Sequence, residues 1–157
     1  MAWTTPRTWT AGELVSASIM NTHVRDNLDA LAAPLVTRTF NAANFFGSLS
    51  MTWTVASAQV DAWAIHGSIL TYAFYISGTV GGTLNPALAI TIPGSRTAQV
   101  ASIAFPILTN DGTTQQWGSA NIDSTSNVLT IYKDPSHVNN WLAGTAFVIG
   151  IVHIPVT

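Results

Sequence analysis

SLSMTWTV, residues Ser48–Val55, is the stretch whose reading decides the fold. Leu49, Met51, Trp53 and Val55 alternate with Ser48, Ser50, Thr52 and Thr54. Apolar residues at every second position put one face of an extended chain into a core and the other into water. Downstream, Ala56–Asp61 reads as a connection, and Trp63–Val80 as one long apolar run interrupted at Gly67. Leu70, Tyr72, Phe74 and Ile76 share one face of that run, and Ile69, Thr71, Ala73 and Tyr75 the other. Both faces are fairly apolar, so the strand is expected to be covered on both sides, by a second sheet and by a neighbouring subunit.

Further along, glycines and Pro86 mark a turn before Leu88, Ile90 and Ile92 alternate with Ala89 and Thr91. Strands are expected over 100–108, 115–123, 128–132 and 144–156, with a tight turn at Asn110-Asp111-Gly112 and a polar loop over 133–140. In the last strand Phe147, Ile149 and Ile151 share one face, and Val148, Val152 and Ile154 the other. Seven or eight short strands separated by turn residues predict a mainly β protein, an antiparallel, jelly-roll-like β-sandwich over 37–157.

Upstream of Val36 the period changes. Leu14, Ala17, Asn21, Val24, Leu28, Leu31 and Leu35 recur at alternating steps of three and four, which is a heptad seam. The spacing predicts a helix over Ser16–Leu35, with Ser16 or Ser18 as N-cap and Pro34 as terminator. Arg25 and Asp29, four apart, are expected to pair, and Thr22, His23, Asp26 and Asn27 to fill outer positions. A helix of about 15–20 residues is marginal alone in water. We therefore expect self-association through Val24, Leu28 and Leu31, with Asn21 setting the register. Met1–Ala11 is expected to precede it as an extended arm, part of it held by Pro6. Trp3 and Trp9 either fold back on the domain or anchor it to another protein. Arm and helix, 1–36, form the expected attachment and oligomerisation segment.

Charged residues make up only 8% of the 157-residue chain, against about 25% in an ordinary soluble domain. Such a surface is covered by Ser, Thr and Asn or hidden in subunit contacts. The net charge of -2 leaves no basic footprint for nucleic acid. No secretory signal or membrane-length apolar run is visible. The chain has no cysteine, which removes thiol catalysis, thiolate metal sites and disulfides. His23, His66, His137 and His153 stand in no metal-ligand spacing. Nucleophile-elbow, phosphate-loop and dinucleotide glycine patterns are absent. No catalytic residue, cofactor or metal is expected, and the chain is read as a non-enzyme. For a binding role the candidates are Trp117, Tyr132 and Trp141, with Lys133, which lie near loops and are expected to present ring faces to a sugar.

The pattern W-T-A-G-E-x-V-x-A-x-x-M-N-x-x-V-R-D-N-L-x-x-L, Trp9 through Leu31, resembles the N-terminal segment of many small tailed-bacteriophage virion proteins of the tail-fibre, minor structural or capsid-decoration type. Asn21, Arg25, Asp26, Asn27 and Leu28 are its most specific part. The β-rich remainder resembles the attached C-terminal domain in texture only. The resemblance implies a homotrimeric virion component, assembled in the host cytoplasm. It would contact itself, other capsid or tail proteins and, as an adhesin, a host surface glycan.

Overall fold

The computed structural model describes residues 4, 5, 7–100 and 103–157. It is mainly β. The described strands are β1 (Val36–Thr37), β2 (Phe45–Gly47), β3 (Met51–His66), β4 (Ile69–Gly82), β5 (Ala87–Thr91), β6 (Ile103–Asn110), β7 (Gln115–Ile122), β8 (Val128–Tyr132) and β9 (Gly144–Pro155). They form one antiparallel sheet in the order β1-β3-β4-β9-β6-β7-β8-β5-β2. The expected antiparallel β class is met, but hydrogen bonding joins the strands into one sheet rather than the two layers of a jelly roll. That sheet rolls on itself. Arg38, just past β1, donates to the Thr91 carbonyl at the end of β5 and sits 5.5 Å from the Phe45 ring centre in β2.

The inner face holds one core. Leu70, Tyr72, Phe74 and Ile76 of β4 are buried in it, as the alternation requires, with Val148, Val152 and Ile154 of β9. Gly150 lets core side chains close on β9. A Cβ at Gly150 would lie 2.6 Å from Ile107 Cγ2 and 2.8 Å from Phe74 Cζ.

Three local readings need correction. Leu49 is almost wholly exposed with φ 55°, because it sits in the turn before β3 and not on its apolar face. Ala56–Asp61 is not a connection. β3 runs straight through it, and register shifts at Thr54/Ser57 and Ala58/Val60 bend the strand and scramble its alternation. The reversal lies instead at Gly67, φ 63°, where β3 turns into β4.

The N-terminal helix is α1 (Ala17–Met20), a π turn (Asn21–Arg25) and α2 (Asp26–Leu31) in succession. Ser16 is the N-cap, accepting from the Ile19 amide at 3.3 Å. The helix ends at Leu31, three residues before Pro34. Arg25 pairs with Asp26 at 2.8 Å, not with Asp29. Val36, placed with the N-terminal segment, belongs to β1. No helix among the described residues is long and apolar enough to cross a membrane.

Candidate functional site

The helix presents its seam to solvent. Asn21 and Ala17 are exposed, as are Val24, Leu28 and Leu31, the last two by half or more. The π turn closes on a bond from the Asp26 amide to the Asn21 carbonyl. Such a turn takes in one extra residue, so the seam slips in phase at Asn21. Val24 lies within the π turn, and Leu28 and Leu31 follow it in α2, while Leu14 lies before the helix. Asn21 is the first residue of the π turn and is exposed.

The opposite face is tied down. Asn27 is buried, against the outer position expected for it. Its Oδ1 accepts from the Thr4 amide at 2.9 Å, and its Nδ2 donates to the Thr4 carbonyl at 2.9 Å. One side-chain amide thus mimics a strand partner for the arm. The sequence pattern contained Asn27 but not its role, since its partner lies 23 residues away. We expect Asn27→Ala to release the arm, speeding hydrogen exchange at the Thr4 amide by the equivalent of about 1–3 kcal/mol, with little change in the β domain's melting. The other end of the helix is held by the Leu31 carbonyl against His66 Nδ1, at 2.9 Å.

Trp3 lies outside the described residues. Trp9 is part-exposed, with the Arg7 guanidinium 5.2 Å from its ring centre, and Arg7 pairs with Glu13.

Of the residues expected to form a sugar platform, Trp117 and Tyr132 share one face of the neighbouring strands β7 and β8, where Ser119 pairs with Tyr132, while Trp141 and Lys133 turn inward. Trp141 is fully buried, its loop folded into the core and its amide bonded to the Asn85 carbonyl at 3.1 Å. Tyr132 stacks on His137 with ring centres 3.8 Å apart, so one face is already covered. Lys133 turns inward to Asp111 at 2.8 Å. Trp117 alone is open, at 67% exposure.

The buried Asp111–Lys133 pair responds to acid. Burial pushes the Asp111 carboxyl up, but bonds from Lys133, the Thr113 hydroxyl and the Thr113 and Thr114 amides outweigh it and hold the pKa at about 2, below the ordinary 3.8. A depressed carboxyl contributes stability above the unfolded value and loses it as pH falls through the folded one. Urea unfolding should therefore show about 2 kcal/mol lost between pH 5 and pH 2 from this group. Asp111→Asn should flatten that limb.

Trp117 ends a row that crosses five strands. Register pairs Trp117 with Leu108, Leu108 with Ile149, Ile149 with Tyr75 and Tyr75 with Val60. All five point to the outer face. At the far end Val60, Ala73, Tyr75, Ile149 and Ile151 line a shallow apolar hollow of about 320 Å³. The Phe147, Ile149 and Ile151 face of β9 is the outward one, and among the described residues no second sheet covers it. His153, on the same face, contacts the Thr71 hydroxyl at 3.0 Å.

Comparison with family models, curated proteins and solved structures finds no match to this chain.

Proposed function

We propose that this chain is a bacteriophage virion structural protein, a homotrimeric short spike, fibre or capsid-decoration protein. It attaches through its N-terminal arm and helix and projects the β domain. The observation that carries the reading is the exposed Val24–Leu28–Leu31 stripe, set in the segment that resembles virion proteins. A stripe of that kind on a short helix is stable only against a partner. The charge-poor composition fits a protein whose surface is shared among subunits. Function is then mechanical and thermodynamic: three copies engage a symmetric lattice together, and effective concentration multiplies their individual affinities.

The adhesin alternative would rest on Trp117 and Tyr132, since Trp141 and Lys133 are buried. The test is copurification. The chain should travel with purified virions through a density gradient, and Trp9→Ala should lower its incorporation while Trp141 and its loop remain untouched. A chain missing from purified particles overturns the reading.

A further inference from the structure

We propose that the outer face of β3, β4, β9, β6 and β7 is the contact between copies of this chain, with Trp117 of one copy seated in the hollow at Val60, Tyr75 and Ile149 of the next. The inference rests on the self-assembly reading above and names the surface that performs it.

Three observations select a second copy as the occupant. The first is charge. The outward positions of these strands, from Val60 to His66, Ile69 to Ser77, Phe147 to His153, Ala104 to Asn110 and Gln115 to Asn121, include no Asp, Glu, Lys or Arg. A face without charge meets its own copy without repulsion, and offers a charged partner nothing to pair with. The second is shape. A protruding indole and an apolar hollow lie at opposite ends of one row on one chain. When three sheets turn the same face toward a three-fold axis, the β6–β7 half of each meets the β3–β4 half of the next. That brings every Trp117 to a hollow, and the ring closes with none unfilled. The third is area. Five strands about 4.8 Å apart, with about 20 Å of each exposed, present on the order of 500 Å². A stable interface takes about 800 Å² from each partner. The sheet face alone falls short, and the helix stripe supplies the balance. The two surfaces are joined where the Leu31 carbonyl meets His66, the residue opposite Ile69 on this face.

The experiment uses the full chain. Light scattering of wild type should give three chains. Trp117→Asp replaces an exposed side chain, so its thermal melt at equal monomer should be preserved while self-association weakens about a hundredfold or more. A second variant is independent of that substitution. Val60→Cys/Gln115→Cys keeps Trp117, and the chain has no other cysteine. Within one copy the two positions are four strand spacings apart, about 19 Å, too far for a short bis-maleimide. A covalent trimer on cross-linking supports the contact. A covalent dimer that grows no further overturns the three-fold ring. A wild-type trimer that survives Trp117→Asp, does not cross-link and is lost in Leu28→Asp overturns this inference alone, leaving assembly to the helix. A wild-type monomer overturns both this inference and the homotrimer reading.

Discussion

Arg38→Met is expected to remove about 3–5 kcal/mol of unfolding free energy, the usual cost of stranding one member of a buried ion pair. Arg38 Nε bonds Asp61 Oδ2 at 2.9 Å, with the two side chains 12% and 3% exposed. Its Nη1 donates to the Thr91 carbonyl at 2.6 Å, and its Nη2 to the Tyr72 hydroxyl at 3.3 Å. Methionine keeps the aliphatic volume but leaves Asp61 charged and buried. A domain of this size has about 5–15 kcal/mol in total, so urea unfolding should show a large fall in midpoint. Arg38→Met/Asp61→Leu should recover much of the loss, because replacing both charges by apolar groups is often neutral. A double variant no better than Arg38→Met would place the cost in the lost Thr91 bond and the opened sheet ends. Burial also pushes the Tyr72 hydroxyl well up, against the opposing pull of Arg38 and with added push from Asp61. Tyr72 therefore stays a neutral partner, and the stability it lends is lost only as pH rises beyond the range of free tyrosine.

Gly118→Ala should be comparably damaging, at or above the top of the ~1–3 kcal/mol range for overpacking. Its Cβ would fall on the Tyr132 carbonyl oxygen and lie 2.7 Å from Thr109 Cγ2. Tyr132 contributes backbone, which cannot rotate aside, so β7 and β8 must separate. Thr109 is itself fixed by a 2.9 Å bond to the Lys133 carbonyl. Gly81→Ala is the control. Its Cβ would meet only Thr52 Oγ1, at 3.3 Å, and its melting midpoint should move little. Equal losses for the two substitutions would overturn the clash as the source of the cost, since the backbone-entropy effect favours alanine at both positions.

Where side chains alternate without interruption, the chain could be read directly. β8 and β9 came out at nearly their observed limits, because Val148–Ile154 obeys a period of two, while for β4 only the facing of Leu70–Ile76 was legible, inside a run from Trp63 to Val80 that also took in the end of β3. Leu49 misled because its positive φ takes it out of a pattern it otherwise completes. The bulges in β3 made a strand look like a connection, since each extra residue moves the following side chains to the other face. A single hydrogen-bonded sheet and two layers share the same local pattern, so the order of strands was hidden. For the site, the Val24–Leu28–Leu31 stripe was legible and the π turn was not, because an extra residue per turn leaves no compositional mark. Trp141 and Trp117 both lie near loops. Only long-range packing separates a ring that fills the core from one that faces solvent. Asn27 required a partner 23 residues away, which no local spacing reveals.

The attachment of the helix to the β domain has a mechanical consequence. Tension drawn through the N-terminal helix enters the sheet at β1, which offers only the pairs Val36–Trp63 and Thr37–Ala62. These open in sequence, one rung at a time, under little load. The next residue is Arg38, whose amide holds the Asp61 carbonyl at 2.7 Å while its guanidinium grips β3, β4 and the end of β5 together. A pull on the helix is thus spread from one short edge strand across both ends of the rolled sheet, and Arg38 is the bolt through which the load passes.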